Sequence, residues 1–262
     1  MNLRRVKAIL WQELYVTYRS GEIFADIFIF PFANILVFGF ISLYLSGENP
    51  LAGKLVLLGM LLWQVIWIVQ YSVTLGSLWN MWSRNLTNIF IAPIRVQEYI
   101  LAHTISGVVK AIVVVGFAAV LSTFVFGFNL LQIGIIPLIF IFVNLVCFSY
   151  ALGIVLLGLI FRYGVRIQAA AWGTVSFFQP LSAAFYPLTV MPIALQYFAQ
   201  LFPATHVFEA ARYALATQGG IAWELFATAT LMNLCYCVVC TKLFLYLFAR
   251  SRDTGQFARN ES

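Results

Sequence analysis

The sequence predicts an all-α integral membrane protein with six transmembrane helices. Of its 262 residues, 63% are hydrophobic and only 9% are charged, with a mean hydropathy of +0.94. Soluble domains carry about a quarter charged residues. Such a chain cannot cover its apolar surface with polar side chains, so lipid must act as its solvent. Its apolar residues also come in runs long enough to cross about 30 Å of hydrocarbon at about 1.5 Å per residue. Finally, the basic residues between those runs fall almost wholly on one side. The net charge of +6 would point to nucleic acid in a soluble protein. Here the positive-inside rule accounts for it, and no nucleic-acid partner is expected.

Residues 1–21 form the first element. Leu3, Val6, Leu10 and Leu14 recur at helical spacing, with Trp11, Tyr15 and Tyr18 adding an aromatic edge and Arg4, Arg5, Lys7 and Arg19 the charge. This is the pattern of a helix lying in the membrane interface, basic groups towards anionic lipid. A solvated tail is the plainer alternative. No apolar core with a small-residue cleavage site directly follows M-N-L-R-R-V-K, so this start does not read as a removed signal peptide.

The membrane domain, 22–250, is expected to hold spans at about 23–45, 55–78, 99–127, 134–160, 167–184 and 222–248. The first contains Asp26, Pro31 and Asn34, with Asp26 only one turn inside and able to reach the interface. The turn that follows, S-G-E-N-P-L-A-G-K, is a near miss to a phosphate-binding loop: it is one residue too long, and Leu55 stands where Ser or Thr should bind magnesium. No other stretch has a nucleotide-binding motif. Lys110 lies well inside the third span, where it must snorkel, face protein or line a polar pathway, because exposure to central lipid costs about 2.5–3.5 kcal/mol or more. The region 185–221 is apolar yet broken by Pro187, Pro192 and Pro203. Two short helices dipping partway into the membrane from outside fit it best. A polar tail, 251–262, closes the chain.

Between spans two and three runs a mixed polar and amphipathic stretch, W-N-M-W-S-R-N-L-T-N-I-F-I-A-P-I-R-V-Q-E. Apolar Leu86, Ile89 and Phe90 alternate there with Arg84, Asn85, Thr87 and Asn88. That spacing predicts a short amphipathic helix over about 83–91, stopped by Pro93. Counting charge places it. Arg4, Arg5, Lys7, Arg19, Arg84, Arg95, Arg162, Arg166, Arg250, Arg252 and Arg259 lie on one side of the six-span arrangement, against Lys54 and Arg212 on the other. Both termini and the 79–98 stretch are therefore expected to be cytoplasmic, in a multi-pass protein of the cell membrane.

Catalytic chemistry finds no footing. There is no convincing nucleophile, acid–base pair or metal cluster, and neither cofactor nor metal is expected on the chain. The spacing Cys237-x-x-Cys240 sits in an apolar helix without nearby His or a second pair, which suits small packing residues. His206, without a carboxylate or Cys cluster, reads as a packing or hydrogen-bonding residue.

Two segments carry a resemblance. N-L-T-N-I-F-I-A-P-I-R-V-Q-E-Y-I-L-A-H, from Asn85 to His103, resembles the coupling segment of type-2 ABC transporter permeases. There a short helix precedes a small-Pro pair, and a following Glu opens the third span. L-F-P-A-T-H-V-F-E-A-A-R, from Leu201 to Arg212, resembles that family's signature before its last span, although His206 stands where an aromatic residue is usual. With the order of elements, the resemblance covers nearly the whole chain. It implies a permease subunit of an ABC exporter that pairs with a second copy or a close paralogue to form the translocation path. Two copies of a separate ATPase, which carry the ATP and magnesium, would dock beneath.

In that light Arg84, Asn85, Leu86, Thr87, Asn88, Ile89 and Phe90 form the coupling helix, with the apolar residues filling a groove on the ATPase and the polar ones its rim. The plainer alternative is an interfacial helix that merely ends span two. Pro203, Glu209 and Arg212 support an external gate, the charged pair meeting at i and i+3. Lys110 is a candidate pathway residue. The family's substrates include drugs, lipids, glycolipids and polysaccharides, and nothing in the residues chooses among them. The competing function is a secondary transporter or channel without an ATPase. Such carriers usually place acidic groups or broken helices at the midplane, and here the acidic residues lie near span ends.

Overall fold

The computed structural model describes residues 2–255, apart from the side chains of Thr87 and Val165. Two expectations therefore lie outside the described residues: the Thr87 side chain, and the tail beyond Gly255 with Arg259. Among the described residues every regular element is helical. In order, apart from three 3-10 turns (Leu130–Ile133, Gly164–Ile167 and Leu188–Val190), they are α1 (Leu3–Arg19), α2 (Gly21–Phe24), a π-helical turn (Ala25–Ile29), α3 (Phe30–Glu48), α4 (Pro50–Trp82), α5 (Leu86–Ile91), α6 (Val96–Phe126), α7 (Ile135–Tyr163), α8 (Gln168–Leu181), α9 (Ile193–Ala199), α10 (Pro203–Ala216) and α11 (Trp223–Asp253).

Helix α4 is the axis of the bundle. It is buried along most of its length, and α3, α6, α7 and α8 pack around it, while α11 lies on the far side of α7. Backbones come close where a side chain is missing. A Cβ on Gly59 would collide with the Ala184 carbonyl, so only glycine lets the turn after α8 close on α4. The core divides along the bundle's long axis into one cluster around Leu61, Phe148 and Phe208 and another around Tyr99, Phe161 and Phe244.

Among the described residues, five helical segments are long and apolar enough to cross a membrane: Gly21–Glu48, Pro50–Trp82, Val96–Phe126, Ile135–Tyr163 and Trp223–Asp253. The expected span over 167–184 is not among them, because its helix is shorter than these five. A 3-10 turn, Gly164–Ile167, takes up its start, leaving α8 with 14 residues, or about 21 Å of helix. At its far end Ala183 takes a left-handed φ of 51° and turns the chain. The spans that do form run longer than their apolar cores. Only Asn49 separates α3 from α4, its Oδ1 capping α4 by accepting from the backbone of Leu51 (3.0 Å) and Ala52 (3.3 Å). The near miss to a phosphate loop is thus the junction of two helices, and no cradle forms there.

Helix α1 divides its apolar residues between two faces. Val6, Ile9 and Glu13 are buried, whereas Leu3 (78% exposed) and Leu14 (57%) point outward with Trp11, Tyr15 and Tyr18. In a membrane protein the most apolar face of a surface helix can be the one that meets lipid, so the stripe that marks a soluble helix's buried side marks the outside here. The region 185–221 contains a 3-10 turn (Leu188–Val190), α9 and α10, of which α10 is largely buried.

Candidate functional site

One end of the bundle gathers α1, the loop bearing α5, the start of α6, the α7–α8 turn and the last turns of α11. It carries Arg4, Arg5, Lys7, Arg84, Arg95, Arg162, Arg250 and Arg252. Short helix α5 is built into it from the sequence upward. Helix α4 ends at Trp82, and Arg84 takes a left-handed φ of 53° to reverse the chain. A single turn and a half follows before Pro93, and Val96 opens α6. Glu98 fixes that opening, its carboxylate accepting from the backbone N–H of Arg95 at 3.0 Å and of Asn2 at 2.7 Å. Arg5 lies 3.6 Å from the same carboxylate. Helices α1 and α6 therefore share one anchor.

The apolar residues of α5 face inward. Leu86 is fully buried and Ile89 nearly so, and the Phe90 ring lies 5.6 Å from Tyr99 of α6, 6.3 Å from Phe161 of α7 and 5.6 Å from Phe248 of α11. These side chains fasten α5 to three long helices, a different use from the filling of an ATPase groove that the resemblance implied. The buried cluster below the loop offers them a dry surface that an isolated interfacial helix would lack. What α5 leaves at the surface is Arg84, Asn88 and Ile91, the last 77% exposed. Asn85 is half-buried, its Oδ1 3.5 Å from the Asn88 amide nitrogen. Beside them opens a groove of about 510 Å³ bordered by Ile91, Ile94, Arg95, Phe248 and Arg252.

Lys110 does not stand alone. Its Nζ lies 3.5 Å from Oε2 of Glu13 on α1, and the other carboxylate oxygen is 3.5 Å from Nδ1 of His103. Because side chains on a helix lean towards its N-terminus, Lys110 reaches back along α6 to this partner. Glu13 and His103 are almost wholly buried. Gly76 of α4 makes room, since a Cβ there would come 2.7 Å from the His103 Nδ1. Among the described residues both His103 nitrogens lack a hydrogen bond, although Nδ1 is within ion-pair distance. Burial pushes the Glu13 carboxyl up, but His103 and Lys110 outweigh it and hold it at about 2. Next to this cluster Gln12 donates to Asn80 Oδ1 (2.9 Å), and Asn80 donates to the Tyr99 hydroxyl (2.9 Å). Further along, the Tyr71 hydroxyl donates to Asp26 at 2.6 Å, giving that carboxylate a partner on α4. Neither Glu13 nor His103 was singled out by motif or spacing. The only available signal was that Glu13 continues the line Val6–Ile9 on α1.

The opposite end holds the second expected set. Pro203 begins α10 at a position that needs no backbone N–H. From α10 the Arg212 guanidinium donates to both carboxylate oxygens of Glu209, at 3.2 and 2.8 Å, and to the carbonyl of Ala183 at 2.9 Å. Glu209 also accepts from the backbone N–H of Leu188 at 2.8 Å. One ion pair thus joins α10 to the turn after α8 and the start of the loop before α9. The sequence spacing predicted the pair but not its two backbone partners. His206 Nε2 lies 2.9 Å from the Gln200 carbonyl, a local hydrogen bond. Among the described residues no group of His, Cys, Asp and Glu side chains is arranged to hold a metal ion.

Compared with known protein families, residues 4–216 match the model of the ABC-2 type transporter. The match starts within α1, takes in α5, the Glu13 cluster and the Glu209–Arg212 pair, and stops at the last residue of α10. No curated protein matches the chain.

Proposed function

The chain belongs to the ABC-2 type transporter family as a membrane-embedded transport subunit, and we propose that it is the permease of an ATP-driven exporter. In this reading it pairs with a second copy or a close paralogue, and two ATPase subunits bind beneath and supply the ATP and magnesium chemistry. The basic end faces the cytoplasm of a cell membrane, and helices α9 and α10 lie on the outer side. The exported molecule is drug-like, a lipid, or a lipid-linked or polysaccharide molecule.

The observation that carries the proposal is the wiring of α5. Ile91 and the adjoining groove are open to a partner, while the Phe90 ring touches rings on α6, α7 and α11. A load applied to the exposed tip is therefore shared by three long helices through packed side chains, which have little compliance. Leu86, Ile89 and Phe90 act as the root of the coupling helix. Arg84, Asn85, Thr87, Asn88 and Ile91 are assigned to its docking side. Glu209, Arg212 and Pro203 brace the outer end, and Lys110 serves through its contact with Glu13.

The test is reconstitution with the ATPase encoded beside the gene. Co-purification, and a change in ATP turnover when the permease is present, are expected. Ile91→Asp should reduce recovery of the complex roughly tenfold or more, as for a central interface anchor, while leaving membrane insertion and thermal stability near wild type. Leu86→Asp should instead destabilise the permease itself. An ATPase that ignores the permease would sink the exporter reading, and normal complex formation by Ile91→Asp would move the docking site elsewhere.

A further inference from the structure

The chain has two histidines, and they are held differently. His206 has its local hydrogen bond, whereas the His103 ring is 1% exposed and neither of its nitrogens has one among the described residues. Three helices meet at this ring. Gly76 of α4 leaves a space that the imidazole and the Glu13 carboxylate share, since a Cβ there would come 2.7 Å from Nδ1 and 3.3 Å from Oε2. The Tyr99 ring closes the other side, its centroid 4.4 Å from that of His103. A neutral imidazole carries one donor and one acceptor. Leaving both without a hydrogen bond in a buried site is costly.

A second proton changes what the ring can do. It makes both nitrogens donors and places a positive charge 3.5 Å from Glu13 Oε1, where a small approach of α1 completes a charge-assisted bond. Few titratable groups face the ring. Glu13 comes from α1, and Tyr99 and Lys110 come from α6, with the Tyr99 hydroxyl already accepting from Asn80 at 2.9 Å. From Ser72 to Asn80, α4 has no titratable side chain. Glu13 is held at about 2, so it is ionised throughout the range in which an imidazole changes charge, about pH 5 to 8. Its two oxygens divide the work, Oε2 towards Lys110 and Oε1 towards His103. Clamping the imidazolium therefore leaves the lysine contact in place. We propose that His103 is a proton-operated latch between α1 and α6: the imidazolium clamps Glu13 over Gly76, and loss of the proton lets α1 move. The latch tightens as pH falls through the imidazole range and loosens as it rises. Its effect on transport rests on the exporter reading, but the latch itself does not.

Two readouts on the permease alone in nanodiscs test this. Nuclear magnetic resonance of labelled histidine side chains gives two signals, and His103→Asn identifies the one that matters. Hydrogen exchange of the α1 backbone, corrected for its intrinsic pH dependence, reports how firmly α1 is held. The His103 signal should titrate between pH 8 and 5, and exchange in α1 should slow with the same midpoint. The expected change is roughly fivefold or more, the lower end of coupling between linked sites. In His103→Asn the exchange should be flat over that range. Lys110→Met, which removes the competing cation, should keep the response and move its midpoint to higher pH. A His103 signal that does not titrate, or an α1 response that survives in His103→Asn, would overturn the latch. ATP turnover of the complex is measured separately. A pH profile that changes in His103→Asn supports a role in transport, and identical profiles would remove that role. An ATPase that ignores the permease at every pH would sink the exporter reading and leave the latch standing.

Discussion

The two ends of the bundle each carry a carboxylate next to basic side chains, and they are built differently. At the outer end in the proposed orientation, Arg212 grips Glu209 with two hydrogen bonds, at 2.8 and 3.2 Å, and spends a third on Ala183. Glu209 in turn accepts from Leu188. At the opposite end Glu13 lies between Lys110 and His103, 3.5 Å from each, longer than a good charge-assisted bond of about 2.8 Å. The first is saturated within one helix and the loops it pins. The second has slack and joins two separate helices, α1 and α6. A saturated pair holds a fixed shape, whereas a loosely shared carboxylate lets α1 shift against α6 without breaking every contact at once. The proposed motor-facing end is therefore the one whose polar joint tolerates movement.

The strongest way to break this contrast is Glu13→Ala. It leaves Lys110 buried without its carboxylate, and removing one partner of a buried pair costs about 3–5 kcal/mol. Thermal unfolding in detergent should show a large loss, and the joint change Glu13→Leu/Lys110→Met should recover much of it. A single variant within about 1 kcal/mol of wild type would mean the cluster is not a joint at all. Acid tests the same carboxylate. With Glu13 held at about 2 against an ordinary 4.5, its folded form is depressed. Its contribution is therefore fully present above about 4.5 and is lost as pH falls towards 2. Accessibility of α1 to proteolysis should rise across that window in wild type and be flat there in Glu13→Gln.

At the other end Arg212→Ala should cost about 2–3 kcal/mol, because it leaves the Ala183 carbonyl and the Glu209 carboxylate short of partners. Arg212→Ala/Glu209→Ala should cost less than the single change, since no stranded charge remains. Stability measured for all four members of the cycle gives the coupling directly, and additive losses would remove the pair from the outer brace.

These regions also differ in how far they could be read from the chain alone. Glu209 and Arg212 are three residues apart on one helix, so local periodicity finds them. Glu13, His103 and Lys110 are distant in sequence, and their meeting depends on how α1 lies on α6. Lys110 announced a need for a partner by its apolar surroundings, but not which partner. The facing of α1 is a case of an ambiguous signal, because apolar residues on a membrane protein mark lipid and core alike. Gly164 and Ala183 set the ends of α8 through backbone turns that hydropathy does not register. The long runs that became α3, α4, α6, α7 and α11 were legible because their length alone excludes other folds.

The smallest expected effects concern backbone strain, which both ends contain. Arg84 (φ 53°) and Ala183 (φ 51°) each take the left-handed conformation without being glycine, at a cost of about 1–2 kcal/mol. Glycine relieves that strain, but it raises the entropy of the unfolded chain by about 0.5–1 kcal/mol. At exposed Arg84 little else changes, so Arg84→Gly should stabilise by a few tenths to about 1 kcal/mol. At fully buried Ala183 the substitution also removes a packed methyl, worth about 0.8 kcal/mol. Ala183→Gly should therefore be close to neutral. Equal gains at both positions, measured by chemical unfolding, would mean that the Ala183 methyl contributes nothing and that the outer turn is held by Arg212 alone.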